Sequence, residues 1–138
     1  MVAKVALTAH KVYSSHGTES MLSEFISERS RLMANEEKVT AKGASGVEYD
    51  FWVYPWGTGL KAIGGVYLVL KKPPAGSYNV LYVGQTGDLS ERFDNHHKES
   101  FFTRNGRTHI GARVENSEQR RLAIEADLIQ SYSPPCNG

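Results

Sequence analysis

Gly64-Gly65-Val66-Tyr67-Leu68-Val69-Leu70 and Asn79-Val80-Leu81-Tyr82-Val83-Gly84 are the two stretches on which the fold turns. Both are rich in branched and aromatic residues, which suit a pleated backbone. Between them, Lys71-Lys72-Pro73-Pro74-Ala75-Gly76 is a loop of hairpin length, so the pair reads as two antiparallel strands. Downstream, Asp88 can cap a helix with Leu89 and Phe93 on its apolar side, running to about Lys98. Asn105-Gly106 is a turn, and Thr108 to Val114 is a third strand candidate. Asn116 or Ser117 can cap a second helix through Leu122, Ile124, Ala126, Leu128 and Ile129, ending before Pro134. The predicted order from Gly64 is strand, strand, helix, strand, helix.

Upstream, residues 2–7 alternate weakly, as a short strand would. Thr18 is an N-cap candidate with Glu19 at the positive pole of the helix dipole. Met21, Leu22, Phe25, Ile26, Leu32 and Met33 then recur at helical spacing, predicting a helix over 18–37. Val47, Tyr49, Phe51 and Val53 alternate with polar or aromatic neighbours, predicting a strand over 47–54. Pro55-Trp56-Gly57-Thr58-Gly59 reads as a linker, dividing an N-terminal extension (1–63) from the rest (64–138).

The chain has 138 residues, 40% of them apolar and 22% charged, the composition of an ordinary globular protein. Its net charge is +1, with seven Lys/Arg against seven Asp/Glu in 1–63 and nine against eight in 64–138. Such balance argues against tight non-specific binding along nucleic acid, though a local basic patch suffices for catalysis. One cysteine, Cys136, excludes an intramolecular disulfide and makes a reducing cytoplasm the expected setting. No apolar stretch of signal-peptide length precedes His10, and no run reaches the 18 residues of a membrane span.

Three groups can carry chemistry. Tyr67 and Tyr82 each lie near glycine on paired strands; a phenol can donate or accept a hydrogen bond or, with a lowered pKa, take a proton. Arg92 and His96 are four apart on the first predicted helix, so one face can offer a guanidinium and an imidazole to a phosphate. Glu125 lies in a mainly apolar helix, where its charge needs a partner, a proton or a metal. Taken singly, each also fits plain packing or a solvated surface, and for the two tyrosines packing is the stronger reading.

Taken together they carry a resemblance. Gly65-Val66-Tyr67, Tyr82-Val83-Gly84-Gln85-Thr86, Arg92, His96, Glu125 and Asn137 resemble, in order and spacing, the GIY-YIG nuclease superfamily. Arg92 follows Tyr82 by ten residues and Asn137 follows Glu125 by twelve, spacings similar to those of the excision-repair incision nuclease domain. The Arg92-x-x-x-His96 pair looks more like homing and restriction enzymes. The resemblance covers about 64–138. It implies an α+β fold, a small three-stranded antiparallel sheet flanked by helices, here with an N-terminal helix and strand added. It also implies a metal-dependent endonuclease that hydrolyses DNA phosphodiester bonds, with RNA left open as a substrate.

Under this resemblance Glu125 would ligate the single Mg²⁺ or Mn²⁺, and Arg92 would hold the scissile phosphate. Tyr67, Tyr82 and His96 would activate or position water, with Tyr67 ahead of Tyr82 as general base. Asn137 would contact the phosphate or brace the site. Lys71, Lys72, Arg104, Arg107 and Arg113 are candidate DNA contacts. Cys136 reads as a small buried apolar group. With no zinc-binding cysteines or second catalytic domain in view, a standalone restriction-like, phage or mobile-element nuclease fits best, cytoplasmic and away from membranes, its oligomeric state open with a dimer among the options. The alternative is a non-catalytic nucleic-acid-binding or interaction module on the same fold.

Overall fold

Strand β5 (Gly65–Lys71) buries every residue but its last. A short apolar run of this kind suits a strand covered on both faces. In the computed structural model, which describes residues 6–7, 9–11, 37–74, 76–91 and 96–137, β5 is flanked by β6 (Tyr78–Thr86) and β7 (His109–Val114), both antiparallel to it. Beyond β7 the sheet continues through β4 (Glu48–Pro55) and β3 (Glu37–Lys42). Two short strands complete it: β1 (Ala6–Leu7) pairs with β6, and β2 (Ala9–Lys11) with β3. The order is β1-β6-β5-β7-β4-β3-β2.

The expected three-stranded sheet is therefore corrected: its members are present as β6-β5-β7, but they are part of a larger sheet. Five strands curl into an antiparallel half-barrel accompanied by two helices, rather than forming a small sheet flanked by helices. The far edge of β7 is occupied by β4 through Trp52↔Ala112, Val53↔Gly111 and Tyr54↔Ile110. The cause is the supply of apolar surface. Val39 and Ala41 of β3 share one core with Val80 and Val83 of β6, four places along the sheet. Strands that far apart can reach one core only if the sheet curls.

Helix α2 (Glu118–Tyr132) fills this inner core with Ile124, Leu128 and Tyr132. Ser117 caps its start by accepting from the Arg120 N–H, and Ser133, at φ 46°, ends it in the left-handed region ahead of Pro134. On one flank α2 grips the β3–β4 hairpin. Asp127 accepts from the Ser45 N–H at 2.9 Å, the Ser45 hydroxyl at 2.6 Å and the Tyr49 hydroxyl at 2.8 Å. Ser131 Oγ donates to the Lys42 carbonyl at 2.7 Å, and Tyr132 Oη accepts from the Lys42 N–H at 3.2 Å. A Cβ at Gly43 would stand 2.0 Å from Asp127 Oδ2, so the hairpin turn needs glycine there.

A second core covers the outer face. It joins Trp52, Tyr54, Tyr67, Val69, Leu81, Ile110 and Ala112 of the strands to Leu89, Phe102 and Cys136. Phe102 comes from helix α1 (Glu99–Arg104). The helix expected from Asp88 to about Lys98 is thus displaced: residues 89–91 and 97–98 form turns, 92–95 lie outside the described residues, and the helix begins at Glu99. Asp88 accepts from the Ser90 N–H at 2.9 Å, the bond an N-cap makes, but in the described residues only a turn over 89–91 follows it. The helix expected over 18–37 lies outside the described residues except for Glu37, which opens β3. The strand predicted over 47–54 corresponds to β4, and the one over 2–7 is described at Ala6–Leu7. Among the described residues no helix is long and apolar enough to cross a membrane.

The two ends of the curled sheet also meet through side chains. The buried Tyr78 hydroxyl of β6 donates to the Glu37 carboxylate of β3, and Lys72 Nζ approaches the same carboxylate at 3.9 Å. Burial first, then the Glu37 hydrogen bond and charge, hold the Tyr78 phenol well above its ordinary 10.0; burial also raises Tyr49 and Tyr132. A raised folded-state value means this stabilisation is intact below the unfolded phenol value and is lost as pH climbs past about 10. Tyr78→Phe should cost about 1.5–3 kcal/mol in urea unfolding at pH 7, the range for a hydrogen bond to a charged group. The variant should also lose less stability than wild type between pH 9 and 11; parallel alkaline limbs would remove Tyr78 from this seam.

Candidate active site

The sequence elements that bring Tyr67 and Tyr82 together are a cross-strand pairing and a bulge. Tyr67 of β5 faces Gly84 of β6, and Val69 faces Tyr82. Between Val69 and Leu70 the register shifts, because Leu70 pairs with Val80 and Leu81 is the extra residue on β6. Strict alternation would send Leu81 and Tyr82 to opposite faces. The bulge instead places both in the outer core, with Tyr82 in the layer of Tyr67. Their rings lie 6.0 Å apart.

Gly84 makes the close approach possible. A Cβ there would lie 2.4 Å from Tyr67 Cζ and Oη, so the phenol rests on bare backbone. Tyr67 is 0% exposed. Its Oη lies 2.8 Å from His96 Nε2, and His96 is itself 6% exposed. The Lys98 N–H donates to His96 Nδ1 at 3.0 Å. A neutral imidazole that accepts at Nδ1 carries its proton on Nε2. His96 therefore donates to Tyr67, whose hydroxyl hydrogen is left for another acceptor. The His96 ring also meets Tyr82 edge-on at 5.2 Å, Phe102 at 4.9 Å and, stacked, His97 at 4.5 Å. Tyr82 is partly exposed and is the tyrosine of this cluster that solvent reaches.

The tail brings Asn137 to the edge of β6. The Val83 N–H donates to Asn137 Oδ1 at 2.8 Å and Asn137 Nδ2 donates to the Val83 carbonyl at 2.9 Å, while the Cys136 N–H donates to the Leu81 carbonyl at 2.9 Å. The Asn137 amide thus acts as one further rung beside β6, next to the bulge. Cys136 is 2% exposed, and burial pushes its thiol up, away from thiolate chemistry.

Glu125 is half-buried on α2. Asp127 and Ser131 flank one side of the inward stripe Arg121, Ile124, Leu128 and Tyr132; at about 100° per residue, Glu125 flanks the other. Among the described residues no group of three or more His, Cys, Asp or Glu gathers closely enough to share a metal ion. A hydrated Mg²⁺ needs only one or two carboxylates and keeps several waters, which a single half-buried glutamate fits. Arg92 lies outside the described residues.

The five cations expected to contact DNA do not form one patch. Lys71 and Lys72 stand at the hairpin end of β5, whereas Arg113 pairs with Val66 at the opposite end, about 20 Å away along the strand. Arg107 Nη2 binds Glu99 at 2.6 Å and its guanidinium stacks 4.1 Å over Trp56. Arg113 Nη1 donates to the Asp50 carbonyl at 3.3 Å, and Arg104 lies 5.2 Å over the exposed Phe101 ring.

Arg121 is a residue that sequence reasoning missed. It is 7% exposed, with Nε donating to Gln85 Oε1 at 2.9 Å and Nη1 to the carbonyls of Glu115 and Asn116, each at 3.0 Å. The available signal was its place three residues before Ile124 and seven before Leu128, a charge on an otherwise apolar stripe.

Gly84→Ala should force Tyr67 off the β6 backbone. The expected cost is about 1–3 kcal/mol in unfolding, as for other overpacked cores, with loss of the Tyr67–His96 contact seen as a changed His96 imidazole NMR signal. An unchanged signal at wild-type stability would show that the ring has room elsewhere. Comparison of the chain with protein-family models, with curated proteins and with solved structures finds no match.

Proposed function

We propose that this chain is a GIY-YIG-like, metal-dependent endonuclease that hydrolyses DNA phosphodiester bonds, of restriction-like, phage or mobile-element type. The observation that carries the reading is the buried Tyr67–His96 hydrogen bond in contact with the partly exposed Tyr82, a polar cluster assembled by a bulge and a glycine inside an otherwise apolar layer. A packing role alone would be served by phenylalanine, without desolvating two polar groups.

In this reading Tyr82 meets the attacking water, because solvent reaches it, and Tyr67 with His96 holds the layer in which its ring sits. The tautomer imposed by the Lys98 N–H makes His96 a donor toward Tyr67, so proton acceptance from water falls to Tyr82 as the phenolate, its own proton having passed to the solvent that reaches it. Glu125 would hold the hydrated Mg²⁺ or Mn²⁺, which when bound supplies Lewis acidity beside the leaving oxygen. Arg92 takes the scissile phosphate by resemblance alone. Asn137 keeps the bulged edge of β6 in place.

The second reading, a non-catalytic nucleic-acid-binding or interaction module, is favoured by one observation. Tyr67 is wholly enclosed and the Asn137 amide is spent on backbone. Plasmid cleavage separates the two. With Mg²⁺ the wild type should convert supercoiled DNA to nicked or linear product, and Glu125→Ala should abolish this at unchanged thermal stability. Tyr82→Phe should slow cleavage by about 10²–10⁴, the range for a lost general base. Arg92→Ala should cost about 10²–10³, as for removal of a transition-state charge partner. Wild type and Glu125→Ala equally inert on DNA and RNA would leave the binding module standing.

A further inference from the structure

Arg121 is placed oddly for a charge with only a structural role. It lies in the first turn of α2, near the positive pole of the helix, where a cation is disfavoured. It is 7% exposed, and its hydrogen-bond acceptors, Gln85 Oε1 and the carbonyls of Glu115 and Asn116, are all neutral. Among the described residues no carboxylate pairs with it. A nearly buried cation without an anion is costly.

Three of the five guanidinium donors are used, one at Nε and two at Nη1. The two on Nη2 have no partner among the described residues. Two glycines shape the surroundings. A Cβ on Gly64 would stand 2.6 Å from Nη1, so the inner side of the slot is closed tightly. A Cβ on Gly87 would stand 3.9 Å from Nη2, so the outer side borders an exposed glycine, and it is there that the small remaining exposure of Arg121 can be used. Gln85, which holds Nε, follows Gly84 directly on β6, and Glu125 lies one helical turn beyond Arg121 on α2.

We infer that Arg121 is a phosphate-binding residue of the nucleic-acid site, its Nη2 edge taking a non-bridging oxygen of a DNA phosphate beside Gly87. The inference rests on the nuclease reading for its ligand. The bound phosphate completes the donor set of the guanidinium and neutralises the charge that no carboxylate among the described residues matches. Gln85, Glu115 and Asn116 fix the plane of the group, so little conformational freedom is lost on binding. Arg121 then positions the strand.

The test is fluorescence anisotropy of a labelled DNA duplex with the full chain in EDTA, from 50 to 200 mM salt. Gly87→Val leaves the three bonds of Arg121 intact and meets Nη2 at ordinary contact distance, so it should keep the wild-type melting temperature. It should weaken duplex binding about tenfold, the loss of one hydrogen bond to a charged group. Arg121→Met should lower the slope of log K against log salt by about one, whereas Gln85→Leu, which removes only a support, should leave that slope unchanged. Wild-type binding by Gly87→Val, or no duplex binding by the wild type, overturns the assignment; if Arg121→Met does not fold, Gly87→Val decides. Plasmid cleavage separates the two readings. Weakened binding by Gly87→Val without any cleavage keeps the phosphate site and removes the nuclease. Cleavage with Gly87→Val binding as wild type does the reverse.

Discussion

Strand β5 turns neither face to solvent, and most of the molecule follows from that. Val66, Leu68 and Leu70 enter the inner core; Tyr67 and Val69 enter the outer one. Two apolar faces need two covers, and the chain meets the demand asymmetrically. The inner face is closed by the curl of the sheet around α2, which brings β3 and β6 to one core and lets Tyr78 reach Glu37 across the seam. The outer face is closed by smaller pieces, the turn carrying Leu89, helix α1 with Phe102, and the tail with Cys136. The candidate site lies in this outer layer, in the cover built from several separate segments.

Besides the Tyr67–His96 hydrogen bond, backbone places its polar groups. The Lys98 N–H sets the His96 tautomer, the bare backbone of Gly84 receives the Tyr67 ring, and both backbone groups of Val83 are held by Asn137. Groups positioned in this way have little freedom, because a main-chain donor moves only with its strand or turn. The same holds for Arg121, two of whose three anchors are carbonyls of the loop entering α2. Preorganisation of this sort is what a site needs if charge develops during the reaction.

The β3–β4 hairpin belongs to the same body. Its turn is held by Asp127 and Lys42 at the end of β3 by Ser131 and Tyr132, all on α2, while β4 pairs with β7 from Trp52 to Pro55. The helix that carries Glu125 packs on the inner face, across the sheet from Tyr67 and His96, and is held on one flank by the N-terminal half of the chain.

Local patterns were legible before any coordinates: the hairpin of β5 and β6, the run that becomes β7, and α2 with its Ser117 cap all follow from side-chain periodicity and turn chemistry that act over a few residues. The nearness of Tyr67, Tyr82 and His96 was suggested only by joint spacing, since each residue by itself suits packing as well. Three things escaped. The extent of the sheet depends on which edges find partners, a long-range matter on which the alternation of 47–54 is silent. The helix begins at Glu99 rather than beyond Asp88, whose side chain caps only a turn, and a cap by itself does not say how far a helix will run. Arg121 was passed over because a charge on a helix is ordinarily at the surface. By itself the sequence determined the elements whose causes are local. Tertiary structure alone decided the curl, the bulge that turns Tyr82 into the layer of Tyr67, and the burial of an arginine, because each depends on contacts between segments far apart in the chain.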